Sequence, residues 1–265
     1  MGLLDKFKKK QVSETTQTAD IKNDGGAFLG FALLSDVIWD KEQLIRDLKE
    51  RWCVDASTGT GNEETLIFTI GKMTVSVGIM PLPVPSGEAE HNATFNYMWK
   101  DAVEITKQHK AHLMVSVLGG DDNIHKGTLL VKILDCCCLQ KNILGIYTGA
   151  TVLEPRFYIA AAEMMKSGEI PVLNLIWFGL YRSGKGMCCY TFGMKQFGKY
   201  EMEILDAEAS PSEVRGLLLD FVTYVIEKDV ILRDGETIGF TAEDRHSITF
   251  GKGVSLPEEM LKISF

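Results

Sequence analysis

Two glutamates on one predicted strand have the spacing best suited to acid–base chemistry in this chain. Glu201 and Glu203 are two positions apart in the β-rich run Tyr200–Leu205, so their side chains share one face of the strand. Paired carboxylates can act as general acid and base, because one raises the pKa of the other. The sequence supplies no nucleophile or enclosed pocket beside them, so we expect both on the exposed face of an edge strand.

Two histidines form the second candidate. His109 and His112 are three residues apart at a predicted helix–strand junction, next to Lys107 and Lys110. A metal would need a third ligand, and the lysines repel a cation. Imidazole and ammonium groups together suit a small anion better. The alternative is that His112 packs at the start of a strand while the other side chains are solvated.

A glycine-bracketed loop precedes the two glutamates. Gly193 and Gly198 enclose the sequence Met-Lys-Gln-Phe between two β-rich runs. Glycine is favoured where the backbone turns left-handed or approaches another group closely, so the loop has a defined shape. Met194 and Phe197 are three apart and fall on one side of a helical turn. We expect them to seal the end of a sheet; the alternative reading makes Lys195 and Gln196 part of a binding rim.

The six cysteines favour packing over metal or redox chemistry. Cys136–Cys138 are consecutive in a helical pattern, where neighbours lie about 100° apart and cannot converge on one metal. Cys188 and Cys189 point to opposite faces of a predicted strand. Cys53 stands alone, and neither cluster has CxxC spacing. Because the common nucleotide-binding, serine-hydrolase and metalloprotease motifs are also missing, we predict no cofactor and no metal.

Charge limits the class of partner. The 265 residues carry a formal net charge of −8, which argues against nucleic acid as the main partner. Between Tyr200 and Arg245 there are twelve acidic and four basic residues. Such a surface attracts a basic partner over long range, although it also serves as an ordinary solvated surface.

The first 26 residues are predicted to be a disordered basic tail and polar linker. Met1–Lys10 places three apolar residues among four lysines, which suits weak peripheral contact with an anionic membrane. No apolar run reaches the ~20 residues of a membrane span. A secretory signal is also missing, so we expect a cytoplasmic protein.

Hydrophobic periodicity predicts an α+β fold. The first half gives a strand, a helix, a hairpin, a helix and a strand: Phe28–Leu34, Asp40–Trp52, Thr65–Ile70 with Met73–Ile79, Phe95–Gln108 and His112–Leu118. This is the β-α-β-β-α-β order of a ferredoxin-like unit. The second half predicts a similar order, with β runs at Val172–Tyr181 and Met187–Phe192 and a capped helix after Ser210. We therefore expect two ferredoxin-like halves, 27–120 and 121–265, with mostly antiparallel sheets packed by helices.

Several joints between these elements have distinctive sequences: the hairpin at Gly71–Val75 with the proline-rich Met80–Pro85, Lys107–Gly120, Tyr147–Gly149, Thr191–Glu203 and Asp234–Gly239. In combination they resemble a bacterial family of unassigned function, domain-of-unknown-function family 4261. The resemblance runs from about Phe28 to Gly251 and implies no reaction, cofactor or catalytic residue.

Two functions follow as hypotheses. The first is a cytosolic interaction protein that binds a protein or small ligand through its acidic C-terminal half. The second is an enzyme with a site at the junction of the two halves. That site would use His109, His112, Tyr147, Glu154, Arg156 and Lys195.

Overall fold

The computed structural model describes residues 26–241 and 243–265. The chain divides into two compact units, of which the first ends at Leu175 and the second spans Ile176–Phe265. Each unit contains a six-stranded, mostly antiparallel sheet with helices. This confirms the predicted α+β class.

The first unit contains six strands and six α-helices in the described residues. Its elements are β1 (Phe28–Leu34), α1 (Lys41–Trp52), β2 (Thr65–Ile70), β3 (Met73–Met80), α2 (Glu88–Ala93), α3 (Ala102–Thr106), β4 (Ala111–Gly119), α4 (Asn123–Cys137), β5 (Ile143–Tyr147), β6 (Val152–Leu153), α5 (Pro155–Ala162) and α6 (Val172–Leu175). The strand order is β2-β3-β4-β1-β5-β6. Strand β1, whose residues are all apolar, lies inside the sheet and pairs antiparallel with both β4 and β5.

The observed division of the chain differs from the predicted boundary at residue 120. Strand β5 completes the sheet of the first unit by pairing with β1, so the chain beyond residue 120 still belongs to that unit. The ferredoxin-like subdivision is not confirmed, because the sheet has six strands with β1 between β4 and β5. The sequence predicted β1, α1, the hairpin of β2 and β3, and β4 close to their observed positions, whereas the pairing depends on contacts between distant strands.

The second unit has strand order β10-β11-β12-β9-β8-β7, in which only the β9–β12 pair is parallel. Helix α7 packs on β7, β8 and β9. The elements are β7 (Trp177–Arg182), β8 (Met187–Phe192), β9 (Met202–Ala207), α7 (Pro211–Glu227), β10 (Thr237–Ile238), β11 (His246–Lys252) and β12 (Glu259–Ile263).

The helix predicted over Phe95–Gln108 is wrong in its first half. The side chain of Asn96 accepts hydrogen bonds from the backbone N–H groups of Met98 and Trp99, at 2.8 and 3.0 Å. It also donates to the carbonyl of Val152 at 2.7 Å. Asparagine competes with the helix for backbone groups in this way, so regular helix starts only at Ala102.

The strand predicted over Val172–Tyr181 also starts late. The carbonyl of Pro171 accepts a hydrogen bond from the backbone N–H of Asn174 at 3.0 Å, and the chain makes one short helix there. The amide side chain of Asn174 then donates to the carbonyl of Tyr158 at 2.8 Å. These polar contacts hold the turn, and β7 begins at Trp177.

No helix among residues 26–241 and 243–265 is long and apolar enough to cross a membrane. The membrane contact predicted for Met1–Lys10, like the tail and linker up to residue 25, lies outside the described residues.

The predicted capping box of α7 is present. Ser210 Oγ accepts from the backbone N–H of Glu213, and the Glu213 carboxylate accepts from the backbone N–H of Ser210. We expect Ser210→Ala to lower the free energy of unfolding by about 1 kcal/mol, because one N-terminal N–H loses its acceptor. Urea denaturation followed by circular dichroism measures the loss. The exposed Ser247→Ala serves as control, and equal stability of both variants contradicts the expectation.

Candidate functional site

Glu201 and Glu203 are buried, contrary to the prediction of an exposed strand face. Their exposed fractions are 2% and 0%. Among the described residues, no hydrogen bond joins the two carboxylates. Instead each one accepts hydrogen bonds from the backbone of a different loop.

The carboxylate of Glu201 holds the glycine-bracketed loop. Its Oε1 accepts from the backbone N–H groups of Gly193 and Met194 at 2.8 and 2.9 Å, and its Oε2 accepts from the hydroxyl of Thr191 at 2.6 Å. Gly193 has φ of +123°, a conformation that side-chain-bearing residues rarely adopt. Burial raises the pKa of the Glu201 carboxyl, and the hydrogen bonds from the Thr191 hydroxyl and the Gly193 N–H act against that rise.

The carboxylate of Glu203 holds a second loop, residues 253–258. It accepts from the backbone N–H of Val254 at 3.1 Å and from that of Ser255 at 2.9 Å. The backbone N–H of Gly253 donates to the carbonyl of Glu258 at 2.7 Å and closes this loop. An ion pair between Lys195 and Glu258 then connects the two loops. We call residues 193–198 and 253–258 together the two-loop rim.

The side chains of the first loop divide as predicted. Met194 and Phe197 are 0% and 7% exposed and lie in a single 3₁₀ turn. Lys195 is exposed and Gln196 is half-buried. In the second loop Val254 is 64% exposed. The rim therefore presents an ammonium, an amide and an apolar side chain to solvent from loops that buried carboxylates hold in shape.

In the first unit, His109 is a structural residue. It is 3% exposed, where the sequence predicted a solvated or anion-binding side chain. Its Nε2 accepts from the backbone N–H of Val84 at 2.9 Å. The ring must therefore be neutral with its proton on Nδ1, which donates to the carbonyl of Thr106 at 2.6 Å.

His112 and Tyr147 lie beside the chain that leads from β3 into α2. His112 Nδ1 lies 3.0 Å from the carbonyl of Leu82, and burial lowers the pKa of this imidazole. The hydroxyl of Tyr147 donates to Glu88 at 2.5 Å. Phe31 packs against both rings, with centroid distances of 5.6 and 5.7 Å. The predicted residues of this unit thus meet around the chain between β3 and α2, which they hold against the sheet.

Glu154 and Arg156 do not join that cluster. Glu154 precedes α5 as a half-buried cap residue whose side chain makes no capping bond, and Arg156 is exposed. Within the described residues no ion pair connects them.

A buried carboxylate on α4 was not predicted from the sequence. Asp135 is 0% exposed and accepts from Arg51 Nε at 2.9 Å, Arg51 Nη2 at 3.1 Å and the indole N–H of Trp52 at 2.7 Å. Arg51 also reaches Glu163 at 3.1 Å. The signal in the sequence was a charged residue inside the apolar run of α4, next to the three cysteines.

The cysteines pack as predicted. All but Cys53 are buried, and burial raises the pKa of the Cys137 and Cys189 thiols to about 12. In the part of the chain that the structure describes, no group of three His, Cys, Asp or Glu residues is placed to hold a metal ion.

This burial predicts selective thiol chemistry. In the native protein we expect only Cys53 to react rapidly with a thiol-specific reagent, because the other five thiols are buried and the reagent cannot reach them. Unfolding in guanidinium should expose all six. Spectrophotometric titration with Ellman's reagent counts the fast equivalents, and Cys53→Ser should remove the single fast phase. A second fast equivalent in the wild-type protein contradicts the burial of the remaining thiols.

A shallow cavity of about 240 Å³ lies beside α1 and the loop before β2. Its polar lining includes Lys41 and Glu42, and the ammonium of Lys41 already donates to the carbonyl of Asn62 at 2.8 Å. Ligand pockets are commonly ~300–1,000 Å³, so this cavity is small for a ligand site.

The segment that contains the two-loop rim matches a known family model. Residues 190–264 match the model of a family described as a domain of unknown function (DUF4261), which confirms the predicted resemblance. The match includes Thr191–Glu203 and Asp234–Gly239 and begins after the other segments on which the resemblance rested. Neither the curated proteins nor the solved structures gave a match to this chain.

Proposed function

We propose that this chain is a cytoplasmic, bacterial interaction protein that binds a basic protein partner through the two-loop rim. The observation that carries the proposal is the use of two buried carboxylates to fix the backbone of two neighbouring loops. Burying a carboxylate is costly unless it is fully hydrogen-bonded, so the loops have a strongly specified shape. A preformed surface loses less entropy when it binds, which favours recognition over loop rearrangement.

The choice of a basic partner rests on charge. Several acidic residues of the stretch from Tyr200 to Arg245 are occupied within the unit, such as Asp206 with Ser183 and Asp229 with Lys199. Among the described residues, others make no hydrogen bond or ion pair through their carboxylates: Glu208, Asp220, Glu227 and Glu243. These free carboxylates attract a cationic surface and accelerate encounter at low salt.

The test is capture from a lysate of the source organism with chemical cross-linking, followed by mass spectrometry. We expect one basic protein to be retained by the wild-type chain and lost at high salt. Val254→Arg and Gln196→Arg should abolish its capture, because they add positive charge to the rim that repels a basic partner and leave Glu201 and Glu203 unchanged. Lys185→Ala, in the exposed turn between β7 and β8, is the matched control. Capture that survives both rim variants contradicts the proposal.

The alternative of an enzyme remains a prediction. Two of its candidate residues, His109 and His112, hold the segment between β3 and α2, and Lys195 pairs with Glu258. We therefore favour the interaction protein.

A further inference from the structure

We infer that His109 is an acid-sensitive latch: protonation of its imidazole releases residues 81–87, the segment between β3 and α2. This inference is independent of the two-loop rim. It concerns a buried histidine whose hydrogen bonds exist only in the neutral form.

The neutral ring is required because Nε2 is an acceptor. Val84, 5% exposed, donates its backbone N–H to this nitrogen and packs in an apolar cluster with Leu33 and Tyr147. A protonated imidazole carries N–H groups on both nitrogens and accepts nothing. After protonation the N–H of Val84 would face an N–H of the ring, so the hydrogen bond between them would be lost.

A carboxylate is placed to stabilise the charged ring. Glu90 Oε1 lies 3.7 Å from His109 Nδ1, and the other oxygen of Glu90 is buried without a hydrogen-bond partner. The hydroxyl of Thr106, in the same surroundings, is also buried without a partner. Glu90 thus favours the released, protonated state.

The basic neighbours of the ring lie on β4 and on its own segment. Burial lowers the pKa of the His112 imidazole on β4. Lys107 and Lys110 flank His109, where the charge of Lys107 is offset by Glu104 at 2.9 Å. The two lysines oppose protonation of the ring, and Glu90 favours it.

The released segment has few other hydrogen-bond donors. Pro81, Pro83 and Pro85 have no backbone N–H, so the N–H of Val84 is an important attachment of this stretch. The carbonyl of Leu82 stays available to His112 after His109 is protonated, because that contact uses a donor nitrogen. Release therefore begins at Val84 and pivots at Leu82.

Amide hydrogen exchange, measured by NMR from pH 8 to pH 5 and corrected for intrinsic rates, tests the latch. We expect the protection of the Val84 amide to fall as the pH is lowered, by at most tenfold per pH unit, which is the slope of a single proton. The amide of Val115, inside β4, should keep its protection. His109→Gln keeps an acceptor without a titratable ring and should abolish the slope, while Glu90→Gln should move the release to lower pH.

Equal pH dependence at Val84 and Val115 would overturn the inference, as would a slope that persists in His109→Gln. If that variant does not fold, the ring nitrogens of His109 in the wild-type protein give the answer by their ¹⁵N shifts. A proton on Nε2 at pH 8 would contradict the latch, and a proton on Nδ1 alone supports it.

Discussion

Replacing Glu201 with alanine is expected to lower the free energy of unfolding by about 3–5 kcal/mol. The carboxylate serves three donors: the hydroxyl of Thr191 and the backbone N–H groups of Gly193 and Met194. Alanine leaves the two buried N–H groups without a hydrogen-bond acceptor. These groups belong to the backbone, so they stay in place when the side chain of Glu201 is removed. Urea denaturation at pH 7 measures the loss, and a change below about 1 kcal/mol contradicts this role.

The matched variant is Glu201→Gln, which retains an oxygen for Gly193 and Met194 and is expected to stay close to the wild-type stability. Because glutamine does not ionise, this variant also separates the effect of the carboxylate charge from that of its hydrogen bonds. Burial raises the pKa of Glu201 above its ordinary value of 4.5, so the folded protein holds this proton more tightly than the unfolded chain. The associated stability is present below pH 4.5 and is lost as pH rises through the folded pKa.

The pH dependence of stability provides a second test of this role. Relative to the wild-type protein, Glu201→Gln should gain stability between pH 4.5 and pH 7, because it removes the ionisation that the fold disfavours. The comparison uses denaturation midpoints at the two pH values in the same buffer series. A relative stability that falls with pH would show that the hydrogen bonds to the charged form outweigh burial.

Local patterns predicted the elements whose causes are local. The capping box at Ser210 and the buried pair Met194 and Phe197 follow from residue type and spacing within a few positions. The buried state of Glu201 and Glu203 was not predictable in this way. Their partners are backbone N–H groups, which every loop carries, so the sequence of the strand gives no sign of them.

The first unit shows the same dependence on distant partners. Asn96 delays the start of the predicted helix, and its side chain is held by the carbonyl of Val152, more than fifty residues away. His109 looked like a solvated residue since its acceptor role depends on the backbone of Val84. In both cases the sequence shows the residue type, but the hydrogen-bond partner depends on how distant parts of the chain come together.

Asp135 gives the second large effect. We expect Asp135→Ala to lower the free energy of unfolding by about 3–5 kcal/mol, because it removes one member of a buried charge network. Arg51 would keep its contact with Glu163 but lose two hydrogen bonds, and the indole N–H of Trp52 would lose its acceptor. Thermal and urea unfolding of the purified variant measure the loss.

A solvent-exposed ion pair provides the control for this prediction. Asp121 forms an ion pair with Lys72 at 2.9 Å, but both side chains are more than 80% exposed, so Asp121→Ala should leave stability unchanged within error. The double variant Asp135→Leu with Arg51→Met tests whether the pair is needed as a charge pair. Buried ion pairs replaced by apolar side chains are often neutral in stability, so this variant should recover much of the loss seen in Asp135→Ala. If Asp135→Ala is as stable as Asp121→Ala, the network does not hold α1 to α4.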